Sequence, residues 1–248
     1  MSSFPRSRVV LLAGPSGSGK SSLAARTGLP VLVLDDFYKN GDDPTLPALP
    51  GGGTDWDDPR SWNADAAVAA VAELCALGAT DTPVYDIAAS AVAGRARLEL
   101  DGAPVFVAEG IFAAEIAGRC RELGLLADAL CLRGRPATTA RRRFVRDLRE
   151  GRKSVPFLIR RGWHLMRAER GIVAGHITRG CHPCGRDEAE RRIAAAAAGR
   201  VPVAVDVPGD VPADEDVKTD VKADVRADVR AEVPAGMDAA DADVRVEA

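Results

Sequence analysis

The sequence predicts an α/β fold with a mostly parallel sheet and helices on both faces, and three observations predict it. A short apolar run, Arg8 to Ala13, leads directly into the glycine-rich stretch Gly14-Pro-Ser-Gly-Ser-Gly-Lys20-Ser21 and then into residues with helical character. Further short apolar runs recur between helical stretches, at Val31 to Leu34, Val105 to Ala108 and Ala127 to Leu132. Strands that alternate with helices build parallel sheets, because the crossover between parallel neighbours has room for a helix. The 248 residues are 46% hydrophobic, enough for one domain with a sizeable core. Aromatic residues are only 4%, so alanine and valine must supply most of the packing.

Taken in order, Arg8 to Ala13 reads as a buried strand and Ser21 to Thr27 as the helix after the glycine-rich stretch. Val31 to Leu34 is a second short strand that ends in Asp35-Asp36-Phe37-Tyr38-Lys39. A loop rich in Gly, Pro and Asp then runs to about Arg60, and loops of that length in compact domains are usually functional or disordered. Ala64 to Leu77 has helical character. Leu98 to Leu100 and Val105 to Ala108 are strand-like and are joined by the turn signal Asp101-Gly102. Ala127 to Leu132 is a further strand. Residues 137 to 150 form a strongly basic helical stretch with Arg141, Arg142, Arg143, Arg146 and Arg149. Another helix spans about 157 to 170, taking in His164, and Asp187 to Ala198 is the last, ending at Gly199.

From about Val207 the chain changes character. Asp216-Val-Lys, Asp220-Val-Lys, Asp224-Val-Arg and Asp228-Val-Arg repeat every four residues. A helix would stack like charges at i,i+4, and an extended chain would have only valine and alanine to bury. This part reads as a disordered acidic tail, with an acidic docking arm as the lesser alternative. Residues 201 to 248 carry 13 acidic and 5 basic side chains, a net of −8, so the −3 of the whole chain leaves +5 on residues 1 to 200. A mildly basic body suits a polyphosphate ligand and is also compatible with weak nucleic-acid contact. No apolar stretch approaches membrane-spanning length, and the first residues run into a strand rather than a signal-peptide core. The five cysteines (Cys75, Cys120, Cys131, Cys181 and Cys184) are scattered and odd in number, which suits a reducing compartment. These features predict a cytoplasmic protein with no membrane partner.

The run Gly14 to Ser21 fits G-x-x-x-x-G-K-[ST], the phosphate loop of P-loop NTPases, between a strand and a helix as that loop requires. Its glycines let backbone N–H groups converge on phosphate oxygens, and the following helix N-terminus adds a favourable dipole. The motif predicts ATP binding by Gly14, Pro15, Ser16, Gly17, Ser18, Gly19, Lys20, Ser21 and Ser22. Lys20 would reach the β/γ-phosphates and the Ser21 hydroxyl would ligate Mg²⁺. Asp35 and Asp36 follow a strand where ligands of open α/β sheets bind, and either could serve as a general base or as a turn cap. Glu109 ends the strand Val105 to Ala108, the position of a carboxylate that holds the magnesium shell. The arginines of 137 to 150 suit a mobile lid around 135–155 that neutralises charge on a transferred phosphoryl group; the competing readings are a solvated helix face and nucleic-acid binding. Few aromatics accompany them, so nucleic acid is the disfavoured partner. Cys181-His182-Pro183-Cys184, with His176 upstream, reads as an ordinary turn with thiols and imidazoles; zinc at Cys181 and Cys184, or a redox pair, is the lesser alternative.

These motifs together resemble the uridine kinase family of P-loop kinases, to which phosphoribulokinases and bacterial pantothenate kinases are related. The resemblance covers roughly residues 8 to 155. Leu34-Asp35-Asp36-Phe37-Tyr38-Lys39 is close to the family's D-x-F-Y-[KR], Asp55 to Asn63 is similar to F-D-x-P-x-[AS]-F-D, and Pro83-Val-Tyr85-Asp86 is similar to P-x-Y-D. Glu109-Gly110-Ile111-Phe112 resembles E-G-[IL]-[FL], and Arg143 to Asp147 resembles the R-x-x-R-D that opens the lid. The resemblance implies ATP-dependent phosphorylation of a small-molecule hydroxyl, first of all the 5′-hydroxyl of uridine or cytidine. It implies Asp35 as general base, with Lys20, Arg146 and Arg152 also catalytic. Tyr38, Lys39, Asp57, Tyr85 and Arg149 fall on the substrate side, and Ser21 and Glu109 in the Mg²⁺ shell. Three departures stand out. Ser90 and Val92 occupy positions where uridine kinases carry a histidine and an arginine. The lid's R-G-R reads Glu150-Gly151-Arg152-Lys153, and Gly171 to Gly185 matches no family motif. A kinase for another sugar alcohol or small metabolite, a regulatory P-loop ATP-binding protein and a nucleic-acid-stimulated ATPase are the rival readings. The expected organisation is a kinase domain at 1–206, with its lid, and a tail at 207–248; the sequence leaves the oligomeric state undetermined.

Overall fold

The computed structural model describes residues 5–133 and 171–200. The lid expected around 135–155 with Arg146, Arg149 and Arg152, the helix expected at 157–170 with His164, and the tail expected from 207 lie outside the described residues. Seven strands are found among them: β1 (Arg8–Ala13), β2 (Val31–Val33), β3 (Ala79–Asp86), β4 (Ala91–Glu99), β5 (Val105–Glu109), β6 (Leu126–Leu132) and β7 (His182–Cys184). The helices are α1 (Lys20–Arg26), α2 (Ala64–Leu77), α3 (Ala117–Glu122) and α4 (Arg186–Ala197), and residues 171–178 are also helical.

Five strands make one sheet in the order β2-β5-β1-β6-β7, every pair parallel. Successive side chains of β1 point to opposite faces, which is why its run is apolar throughout. Val9 and Leu11 join Phe106, Leu74 of α2 and Cys120 of α3 on one face. Val10 and Leu12 join Leu23 of α1 and Ile193 of α4 on the other. The expected α/β architecture, with helices on both faces of a parallel sheet, is the one observed. Arg192 of α4 forks onto Asp128 of β6, with Nε and Nη2 at 2.9 and 3.1 Å from its carboxylate oxygens. Asp128 is only 8% exposed, and a carboxylate so buried needs such a partner, because stranding it would be strongly destabilising.

The local reading holds closely for β1 and α2. Asn63 starts α2 by accepting a hydrogen bond from the Ala66 amide at 3.0 Å, and Gly78 ends it in the left-handed conformation, φ 79°. Elsewhere the structure corrects it. The expected pairing across Asp101-Gly102 does not form: β4 pairs antiparallel with β3 in a separate two-stranded sheet, and β5 joins the main one. The chain leaves the core at Gly78 and returns at Leu100, whose amide donates to the Gly78 carbonyl at 2.8 Å. β2 stops at Val33, and Leu34–Phe37 coil into a 3₁₀ turn. The loop to Arg60 is structured, with an Ala48–Thr54 bridge and a 3₁₀ turn at Pro59–Ser61. The segment read as a thiol-bearing turn is the edge strand β7, drawn into the sheet by the ladder of β6 and by burial of both cysteines. Pro183 is tolerated there because an edge strand has a side with no ladder to complete.

Candidate active site

The phosphate loop leaves the C-terminal end of β1, the central strand, and its lysine opens α1. Gly14 has φ 147°, and a Cβ there would lie 2.7 Å from the Leu132 carbonyl oxygen, so only glycine lets the loop pass the end of β6. Gly17 and Gly19 are also at positive φ, while Pro15 and Ser16 turn the chain so that the Ser18 amide donates back to the Pro15 carbonyl at 3.1 Å. Lys20 is buried, and its ammonium donates to the Gly14 and Pro15 carbonyls at 2.9 and 3.3 Å. Ser18 Oγ is buried with no hydrogen-bond partner, whereas Ser21 and Ser22 are exposed in the first turn of α1.

Three carboxylates stand beside this loop. Glu109 ends β5 in register with Leu12 of β1 and Val33 of β2. It is 4% exposed, and its Oε2 is buried with no hydrogen-bond partner. Burial pushes its carboxyl above the usual range; the Ser21 hydroxyl and Lys20 pull it down, and Asp35 and Asp36 push it further up. Asp35 accepts a hydrogen bond from the Ile111 amide at 3.0 Å, and Asp36 accepts one from the Tyr85 amide at 3.3 Å. The two neighbours in sequence therefore have different tasks. Asp35 faces the end of β5, whereas Asp36, its carboxyl raised by burial, ties the β3–β4 hairpin to this turn. Gly110 sits under Asp35: a Cβ there would lie 2.8 Å from both Asp35 Oδ1 and Leu34 Cβ.

This donor set fits a magnesium–triphosphate group. Mg²⁺ keeps several waters and is held by one or two protein oxygens plus substrate phosphates, so it needs no cage of protein ligands. A buried Glu109 oxygen without a partner, next to the Ser21 hydroxyl, suits that demand. The glycine cradle beside Lys20 suits the phosphates.

Close to Asp35 lies an aromatic cluster. The Tyr38 ring is 5.7 Å from Trp56 and 5.8 Å from both Tyr85 and Phe112, and Trp62 is 5.8 Å from Phe112. Five of the chain's aromatic residues (six Phe, three Trp and two Tyr) thus gather in one place, with Trp62 and Phe112 buried in the core and Tyr38 packed against it. The Trp62 indole donates to the Leu34 carbonyl at 2.7 Å, Tyr38 to the Trp56 carbonyl at 3.2 Å and Tyr85 to the Lys39 carbonyl at 3.1 Å. Lys39 donates to Thr45 at 2.8 Å, and Asp57 is exposed. The charges of Asp35 and Asp57 both reach Tyr38, whose hydroxyl is held above its ordinary range first by burial and then by these two. Ser90 and Val92 fasten the hairpin to the adjoining loop. The Gly41 amide donates to the Ser90 carbonyl at 2.6 Å, and the Val92 amide to Asn40 Oδ1 at 3.0 Å.

The structure thus brings together Lys20, Ser21, Glu109 and Asp35, with Tyr38 and Tyr85 in the nearby aromatic cluster and Lys39 and Asp57 beside it. The sequence reading assigned no role to Gly110, Trp56 or Arg186. Gly110 and Trp56 stood inside quoted motifs, so a signal existed. Arg186 had none: its Nη2 donates to the Gly19 carbonyl at 3.3 Å and to Ser22 Oγ at 3.4 Å from 167 and 164 residues downstream.

Cys181 and Cys184 belong to different faces of the sheet, one in each core, and no group of three metal-ligating side chains occurs among the described residues. His176 is buried with Nδ1 3.5 Å from Cys131 Sγ. Burial, with Arg179 and Lys20 nearby, lowers its imidazole from 6.5 to about 4. The folded protein therefore holds it neutral while the unfolded chain takes up a proton first. Stability falls as the pH drops from 6.5 toward 4, by roughly 3 kcal/mol in all. Thermal unfolding across that window should show the loss, and His176→Gln should flatten it; an equally steep profile in the variant assigns the effect elsewhere.

No helix among the described residues is long and apolar enough to cross a membrane. No protein-family model matches the sequence, and no curated protein matches it. Among solved structures, a candidate fructose transport system kinase from Silicibacter sp. TM1040 is 18% identical, with a TM-score of 0.41 over 79% of this chain and 87% of the other. A possible uridine kinase from Bacillus stearothermophilus is also 18% identical, with a TM-score of 0.40 over 56% of this chain and 77% of the other.

Proposed function

We propose that this chain transfers a phosphoryl group from ATP to a hydroxyl of a small molecule, with Asp35 as the general base. One observation carries the reading: Asp35 is fixed by the Ile111 amide just past Glu109-Gly110, so that its charge acts both on Glu109, beside Lys20 and Ser21, and on Tyr38 of the aromatic cluster. The residues from Gly14 to Ser22 would cradle the phosphates, and Ser21 and Glu109 would hold Mg²⁺. Bound MgATP supplies the transferable γ-phosphoryl group. Lys20 would exchange its bonds to the Gly14 and Pro15 carbonyls for phosphate oxygens and neutralise charge there. Asp35 orients the acceptor hydroxyl and takes its proton as the oxygen attacks in line. Arg146, Arg149 and Arg152 are assigned to a lid that adds positive charge and excludes water.

The cluster of Tyr38, Trp56 and Tyr85, with the Asp57 carboxylate near enough to act on the Tyr38 hydroxyl, favours an acceptor with a flat ring and a sugar. Uridine or cytidine, phosphorylated at the 5′-hydroxyl, is the first assignment, and another sugar alcohol is the second. A coupled ADP-release assay with MgATP against nucleosides, pentose alcohols and pantothenate tests it, with and without EDTA. Turnover on one acceptor, abolished by EDTA, supports the kinase reading, and the acceptor that works decides between the two assignments. ATP binding with no turnover on any acceptor favours a regulatory nucleotide-binding protein instead.

A further inference from the structure

Strand order gives the donor nucleotide a direction. β1 divides the sheet: Glu109 and Asp35 follow β5 and β2 on one side, and β6 and β7 lie on the other. In-line transfer puts the acceptor oxygen beyond the terminal phosphate, on the Asp35 side. The remainder of the donor must then run the other way from the phosphate loop, over β6 and β7. Arg186 stands there as the first residue of α4, just past β7, and it reaches back across the loop. Its guanidinium touches two neutral oxygens, the Gly19 carbonyl and Ser22 Oγ, at 3.3 and 3.4 Å, both long for hydrogen bonds. Four other arginines that fasten elements together meet acids (Arg192 meets Asp128, Arg26 meets Glu190, Arg179 meets Glu115 and Arg119 meets Asp65), whereas Arg121, far from the loop, meets the Gly180 carbonyl. Arg186 meets no carboxylate among the described residues. A cation beside the last loop glycine and the first turn of α1 is placed to meet an anion held there.

We infer that Arg186 binds the α-phosphate of the donor nucleotide and so fixes which way the nucleotide lies, its terminal phosphate toward Asp35. The inference rests on the nucleotide-binding reading of the phosphate loop, and it adds a residue that neither the loop motif nor the family resemblance assigns. The contact is charge-assisted and independent of the base, since the guanidinium pairs with phosphate oxygens.

The test is calorimetric titration of the full chain with MgADP and with MgGDP, for the wild type, R186M and R186K, alongside ligand-free melting temperatures. R186M should weaken both nucleotides by about tenfold. R186K should recover part of that loss, and the ligand-free melting temperature should stay unchanged. Unchanged ADP affinity in R186M overturns the inference. A loss confined to one nucleotide also overturns it, because Arg186 would then contact the base. A loss that lysine does not restore, accompanied by a lowered ligand-free melting temperature, assigns Arg186 to packing between α4 and α1. A wild type that binds neither nucleotide removes the phosphate-loop reading itself and this inference with it.

Discussion

Asp35→Asn is expected to lower acceptor phosphorylation by about 1,000-fold while leaving ADP affinity within about twofold. Asparagine keeps the oxygen that accepts from the Ile111 amide and nearly the same volume, so the turn after β2 should stay in place. What it loses is the capacity to take the acceptor's proton. Asp36→Asn is the informative partner, because Asp36 holds the Tyr85 amide of the hairpin rather than facing β5. It should raise KM for the acceptor severalfold and affect kcat little. Steady-state kinetics on both variants separates the two carboxylates that sequence spacing alone leaves equivalent. If Asp36→Asn proves the more damaging to kcat, Asp35 is not the base.

Gly110→Ala should cost about 100-fold in kcat although it removes no reacting atom. Its Cβ would come within 2.8 Å of Asp35 Oδ1 and of Leu34 Cβ. The Asp35 side chain could swing aside, but Leu34 Cβ is fixed to its backbone, and so the turn carrying the base must shift. A displacement of that kind spoils in-line geometry while sparing the phosphate loop, so ADP affinity should be retained. Gly118→Ala is the control. Gly118 lies in α3 with open space around a Cβ, and alanine there should leave kcat unchanged and favour the helix. Equal activity in the two alanine variants would show that the contact between Gly110 and Asp35 does not position the base.

The buried elements were legible in the sequence because their signals are local. β1 carries an unbroken apolar run that both cores require, and α2 carries its own Asn63 cap and Gly78 stop. The β3–β4 hairpin was not legible. Most of β4 is exposed: Arg95-Ala-Arg97-Leu-Glu99 does alternate, but the alternation is short and its alanine buries little, while Val92 to Gly94 carries no pattern. β7 was missed for another reason: three residues, one of them proline, become a strand only because β6 offers them a ladder. In the site, Lys20, Ser21, Glu109 and Asp35 could be read from motif positions. The separation of Asp35 from Asp36 could not, since it depends on amides 76 and 49 residues away. Arg186 is the extreme case, brought to the loop only by the sheet order.

The hydrogen bond from Leu100 to Gly78 has a consequence for how such a protein can change. It clasps the two ends of the hairpin where they leave and rejoin the core, and the hairpin shares no ladder with the five-stranded sheet. A segment closed at its base in this way is an exchangeable cassette. Its exposed side chains can drift with little penalty to either core, provided that buried Thr80, Leu98 and the ties to Asp36, Asn40 and Gly41 are kept. One member of the aromatic cluster, Tyr85, is carried on that cassette, while Lys20, Glu109 and Asp35 lie at the ends of strands of the sheet or just beyond them. On the proposed function, new acceptor preferences can therefore arise by descent, or be grafted in the laboratory, without rebuilding the sheet-anchored residues.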